Sequence, residues 1–208
     1  DVTGVQTCAL PICNYDLDFL NGKALVSGLN SEDWNDPTSI FVLDTEGTNN
    51  HQKVIEIGGN SAGLATDNEG NIYYSTSFLG ATANAVYRWS SADISPIISN
   101  PEAVPLTLTE ATKLTDIPCG AYDCEVDEVG NVMFNFNDFS SDKVLAVWNQ
   151  TIGDGYNFDT LAIATDGTDW LTMVKSCGNI LEPVDDNGVY VLSWGRPVAK
   201  VIDRKSVV

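Results

Sequence analysis

Few residues of this chain could do chemistry: five cysteines, one histidine and an excess of carboxylates. His51 stands in a polar stretch, Thr48-Asn49-Asn50-His51-Gln52-Lys53. A Ser–His–Asp or Cys–His arrangement would have to use it, and no nucleophile motif accompanies it, so it reads as a surface residue. Cys119 and Cys124 stand five apart across Gly120-Ala121-Tyr122-Asp123. That spacing closes a small disulfide loop if the chain turns at Gly120; otherwise it leaves a buried pair of thiols. A zinc site would need further Cys or His beside the pair. A disulfide would point to an exported protein. The acidic stretches Asp67-Asn68-Glu69-Gly70 and Asp185-Asp186-Asn187-Gly188 invite a calcium reading, but they lack the spacing and terminal Glu of an EF-hand and read as turns. Gly58, Gly59 and Gly63 do not open a helix, so they are not a dinucleotide fingerprint, and no P-loop is present.

The elements that must position these residues come from a repeat. Lys53 to Ser77 reads KVIEIGGNSAGLATDNEGNIYYSTS, and Lys113 to Asn137 reads KLTDIPCGAYDCEVDEVGNVMFNFN. The two align without a gap: Asp67 on Asp127, Gly70 on Gly130, Asn71 on Asn131. A weaker third copy aligns Cys177-Gly178 with Cys119-Gly120, and Asp185 and Gly188 with Asp127 and Gly130. Within each copy an apolar strand runs into a D-x-x-G turn, where glycine supplies a positive φ. An aromatic-rich strand follows, then a strand ending in Trp89 or Trp148, a long connection and an outer strand. Ser90 to Thr109 reads as such a connection, and no sustained helical periodicity is present. Four short antiparallel strands in about 60 residues is the unit of a β-propeller blade, which covers its two faces with neighbouring blades. The expected fold is therefore all-β: a β-propeller of four-stranded antiparallel blades. About 3.5 blades of an incomplete ring are expected, at roughly 17–57, 62–117, 122–174 and 180–202.

Both ends read differently. Val2 to Ile12 (VTGVQTCALPI) and Asp203 to Val208 (DRKSVV) look like translated sequencing adapter, so residues 1–12 and 203–208 are set apart from residues 13–202 in the fold reading. The chain carries 29 acidic against 10 basic residues, a net charge of −19. Such a surface repels nucleic acid and anionic lipid. No apolar run approaches the ~18 residues of a membrane span. Open blade faces of a partial ring are expected to make the chain self-associate.

Asp67-Asn68-Glu69-Gly70-Asn71-Ile72-Tyr73 and Asp127-Glu128-Val129-Gly130-Asn131-Val132-Met133 resemble the D-x-x-G-N-[IV]-Y signature of NHL-type and regucalcin/gluconolactonase-like six-bladed propellers. The second copy departs at Met133, and the third puts Val189 where Asn would stand. The resemblance implies that ligands bind where the links entering each innermost strand converge on a central channel. Those links are Gly58–Gly63, Pro118–Asp123 and Cys177–Glu182, and they carry Asn60, Tyr122, Asp123, Asn179 and Glu182. Oxygen ligands from several blades could hold Ca²⁺, which takes six to eight oxygens in loose geometry. The motifs around the lactonase metal set are not reproduced here. The first expectation is an extracellular or periplasmic binding module for a protein, glycan or small molecule on the propeller face. The alternatives are a Ca²⁺-dependent lactonase-like hydrolase and a structural repeat of a larger surface protein.

Overall fold

The computed structural model describes residues 12–29, 37–44, 51–58, 63–76, 84–136, 143–164, 171–177, 188–193 and 199–201. The described chain is all-β, with one short helix. The first sheet holds β1 (Ile12–Leu20), β2 (Lys23–Leu29), β3 (Thr38–Leu43) and β4 (His51–Ile57). The second holds β5 (Leu64–Thr66), β6 (Ile72–Ser75), β7 (Ala85–Trp89) and β8 (Thr112–Asp116). The third holds β9 (Ala121–Val126), β10 (Val132–Phe136), β11 (Lys143–Trp148) and β12 (Asp159–Ala164). A fourth holds β13 (Leu171–Cys177), β14 (Gly188–Ser193) and β15 (Ala199–Val201). Each sheet is an antiparallel meander whose neighbouring strands are consecutive in the chain.

Local chemistry accounts for the hairpins. Asn21 (φ 50°) and Gly22 (φ 77°) form the two-residue turn between β1 and β2, where both positions need positive φ. The repeated turn is a closed box. Asp67 Oδ1 accepts from Glu69 N–H at 3.0 Å and Asn71 N–H at 2.9 Å. Its Oδ2 accepts from Asn71 Nδ2 at 2.7 Å and the Tyr73 hydroxyl at 2.9 Å. Asp127 repeats this with Val129 N–H, Asn131 N–H and Asn131 Nδ2 at 3.1, 2.8 and 2.7 Å. Each asparagine then reaches the next crossing. Asn71 Oδ1 accepts from Ser91 N–H, and Asn131 Oδ1 from Gln150 N–H. One turn thus fixes where the connection after the third strand begins.

Burial joins the sheets face to face. Leu25, Ile40, Ile55 and Ile57 of the first sheet pack with Leu64, Ile72, Tyr74 and Trp89 of the second. Ala65, Tyr73, Val86 and Leu114 pack with Cys124, Val126, Phe134 and Trp148 of the third. A fully buried aliphatic or aromatic side chain contributes roughly 1.5–3 kcal/mol, so these two layers contribute most of the burial among the described side chains. The outer edges are covered too. Leu106, in the connection before β8, exchanges backbone hydrogen bonds with Val54 and Glu56 of β4. Gly155 N–H, before β12, donates to Leu114 O of β8 at 2.9 Å. In both cases a connection of one sheet closes the outermost strand of the sheet before it, which removes an aggregation-prone edge.

Three expectations need correction. The connection after Trp89 contains a helix, α1 (Ser91–Ile98). Ser90 caps it by accepting from Asp93 N–H, and Ile94 is buried. The third sheet ends with β12, since Leu145 pairs with Ala162. The last residues of the expected third blade, 171–174, belong instead to β13, which pairs with β14 and opens the fourth sheet at 171 rather than 180. Consequently Gly188 lies in β14 opposite Cys177, not at a tight turn, and Asp185 lies outside the described residues. The first sheet begins earlier than 17, because the backbone of Ile12 already pairs with Leu29.

Candidate functional site

Two places gather polar side chains. One lies along the first strands of the sheets, where β1, β5 and β9 run side by side. β1 alternates Asp16, Leu17, Asp18, Phe19, so its two carboxyls share one face. That face meets β5. Asp16 Oδ2 accepts from Leu64 N–H at 2.7 Å, and Asp18 Oδ2 accepts from Thr66 N–H at 2.6 Å and the Thr66 hydroxyl at 2.8 Å. The other oxygens, Asp16 Oδ1 and Asp18 Oδ1, accept from the N–H groups of Leu17 and Phe19 at 2.8 Å. The carboxyls therefore satisfy edge donors of two strands that no ladder reaches.

Asp123 comes to this face from β9. It is 6% exposed and its side chain contacts that of Asp16. Its own N–H and that of Tyr122 donate to Asn135 Oδ1 at 3.0 and 3.2 Å. Burial raises the Asp16 carboxyl above the ordinary aspartate range. Hydrogen bonds from Leu64 and Leu17 N–H and from Asp123 oppose this, and the charge of Asp18 adds to it. A carboxyl raised in the folded chain favours folding at low pH and loses that contribution as pH rises through its folded value. Asp16→Asn should therefore gain stability relative to the parent chain between pH 4 and pH 7, read from melts across that range. A constant difference would mean that Asp16 is not held against burial as described.

Of the residues expected to bind a ligand, Tyr122 and Asp123 are described; Asn60, Asn179 and Glu182 lie outside the described residues. Tyr122 is half-buried, and burial, then Cys119, raises its hydroxyl. Among the described residues, no group of three His, Cys, Asp or Glu side chains is placed to hold a metal. The carboxyls of Asp16 and Asp18 are committed to backbone donors, so this face does not fit Ca²⁺, which takes six to eight oxygens. Cys119 and Cys124 are thiols, not a cystine. Gly120 takes no positive φ, and the chain straightens into β9 at Ala121, which carries Cys124 away into the strand. Burial first, then the charges of Asp123 and Asp16, push the Cys124 thiol well up, so it is no nucleophile. Asp16, Asp18 and Asn135 were not singled out by the sequence reading. The alternation Asp16-Leu17-Asp18-Phe19 is the signal that marks the first two.

The second place is a cleft of about 200 Å³ between the two repeated turns. Asp67, Glu69, Tyr73, Asp127, Glu128 and Gln150 line it, and no Lys or Arg does. Asp67 and Asp127 are consumed by their turns. Burial, then the charge of Asp67, raises the Tyr73 hydroxyl, while Arg88, which bonds it from β7, opposes the rise. Glu69 and Glu128 sit on exposed turn positions, and among the described residues their carboxylates have no ion-pair partner. Such a cleft is below the ~300–1,000 Å³ of pockets that enclose a small molecule. It is large enough for one side chain or head group, and its charge suits a cation. No family model matches the chain, and no curated protein matches it.

Proposed function

We propose that this chain is part of a β-propeller, an extracytoplasmic binding module that receives a cationic group of a partner protein or small molecule in the cleft between its repeated turns. The observation that carries the binding reading is the cleft itself: four carboxylates around about 200 Å³, two of them outside the turn boxes. The propeller reading is supported by the contact of successive first strands through Asp16, Asp18, Leu64 and Thr66. It is supported also by the repeated edge cover at Leu106 and Gly155 and by the resemblance of the two turns to the NHL-type signature. A lysine or arginine in the cleft would meet the carboxylates of Glu69 and Glu128 beside the Asp67 and Asp127 turns.

An oligolysine peptide titrated calorimetrically into the chain tests this. Binding at low ionic strength should weaken with salt, because exposed charges are screened beyond about 10 Å at 0.1 M. Glu69→Gln combined with Glu128→Gln should weaken it by about tenfold, the sum of two exposed pairs at ~0.7 kcal/mol each. An unchanged affinity in the double variant, or no heat at all, would refute the assignment to this cleft.

A further inference from the structure

Asn149-Gln150-Thr151 is the one Asn-x-Ser/Thr triplet in the sequence, and neither Gln150 nor the following Ile152 is a proline. Such a triplet can carry an N-linked glycan where it stands on the surface. The fold puts it there. β11 ends at Trp148, and the triplet opens the connection to β12. Asn149 is half-buried, and Gln150 and Thr151 are exposed. The connection is pinned at both ends: Gln150 N–H donates to Asn131 Oδ1 at 3.1 Å, and Gly155 N–H to Leu114 O at 2.9 Å. Between them the chain turns tightly, with the N–H groups of Ile152 and Gly153 both donating to Asn149 O at 3.2 Å. The triplet is therefore an ordered, open turn at the end of a strand.

The atoms that matter are free. Asn149 Oδ1 accepts from Thr151 N–H at 2.9 Å, an Asx turn that folds Thr151 back toward the Asn149 amide. Among the described residues, Asn149 Nδ2 and the Thr151 hydroxyl have no partner. The turn-box asparagines differ: Asn71 Nδ2 donates to Asp67 and Asn131 Nδ2 to Asp127, each at 2.7 Å. We propose that Asn149 is an acceptor site for an N-linked glycan. Transfer joins Asn149 Nδ2 to the anomeric carbon of an oligosaccharide carried on a lipid pyrophosphate. The anomeric C–O bond breaks, the pyrophosphate leaves with the bonding electrons, and the amide gives up one N–H proton. Nothing is oxidised or reduced. Gln150 lines the acidic cleft, so the glycan would stand at its rim. The proposal rests on the reading of the chain as extracytoplasmic, where such a transfer takes place, but not on a ligand in the cleft.

The test is to send the full chain into the secretory pathway of a eukaryotic cell with an added leader. Its mass is then read on all lumenal chain, secreted or retained. A single glycan step above 22.4 kDa is expected. An amidase that cleaves the bond between asparagine and glycan should remove the step and leave aspartate in place of Asn149. Asn149→Gln and Thr151→Ala should each abolish the step, whereas Thr151→Ser, which keeps the hydroxyl, should retain it. Thr151 is exposed and gives only its backbone N–H to the Asx turn, so Thr151→Ala leaves the fold intact. Its loss of the step would therefore report the hydroxyl and not unfolding. No step in the parent chain would overturn the proposal, and so would a step that survives Asn149→Gln. Because the leader supplies the export, a missing step would remove the acceptor assignment and leave the extracytoplasmic reading standing. A glycosylated chain that fails to bind oligolysine would remove the cleft reading alone.

Discussion

Gly63→Ala is expected to lower the melting temperature by about 6–12 °C. Gly63 stands just before β5, where the second sheet meets the third. A β-carbon built there would overlap the backbone of Asp123 and Cys124 in β9. Backbone cannot yield as the tip of a side chain does, so β5 and β9 would have to part. Parting them opens the layer of Ala65, Tyr73, Cys124, Val126 and Phe134. Overpacking against side chains costs about 1–3 kcal/mol, and overpacking against a strand falls at or beyond the upper end. At about 2–4 °C per kcal/mol for a chain of this size, the expected shift follows. The glycine is required by space and not by its dihedral angles, since it is not among the residues with positive φ. Gly58→Ala is the matched control: nothing lies within 4 Å of a β-carbon there, and its φ is also ordinary. The two variants should therefore differ widely in thermal denaturation followed by near-ultraviolet circular dichroism. Equal melting would mean that the second and third sheets do not meet at this glycine.

How far the sequence foretold this architecture depends on the range of each interaction. The turns were legible because their chemistry is closed within five residues. Asp, Gly and Asn at fixed offsets suffice to predict a tight turn with a positive φ, and Gly70 and Gly130 have φ of 88° and 87°. The strand ends at Trp89 and Trp148 were legible from the same spacing, and both side chains are fully buried. The helix was missed although its signals are present. Ser90 caps it, and Ile94, Ile97 and Ile98 fall on one face, but eight residues with Pro96 inside give too short a period to stand out. The fourth sheet was misplaced because Cys177 aligns with Cys119 by residue type, while strand register puts Cys177 at the end of β13. The meeting of Asp16 with Asp123 was illegible in principle. It joins residues more than a hundred positions apart, through three sheets whose packing no local pattern records. The same holds for Gly63, whose role is visible only once β9 lies against it.

The second large effect belongs to the turn box. Asp127→Ala should destabilise the chain by about 3 kcal/mol, because it strips acceptors from three donors at once. Asp127 is 4% exposed and Asn131 2%, so the stranded N–H and amide of Asn131 cannot turn to water. Leaving a buried donor unsatisfied costs about 1–3 kcal/mol, whereas removing both partners can be nearly neutral. That asymmetry makes the box testable as a unit. Asn131→Ala alone strands Gln150 N–H and leaves the Asp127 carboxylate short of a donor. With both residues replaced, the buried side-chain groups that needed each other are gone together. The double variant should then be little worse than the poorer single one, a coupling of about 1–2 kcal/mol by denaturant unfolding. Asp127→Asn separates geometry from charge. Its oxygen can still accept from the N–H groups of Val129 and Asn131, but its amide would face the Asn131 amide, donor against donor. It should therefore fall between the parent chain and Asp127→Ala. Strictly additive costs would mean that the two side chains act separately. The turn would then be held by Gly130 and its backbone alone, and the recurring Asp and Asn would need an explanation outside the fold.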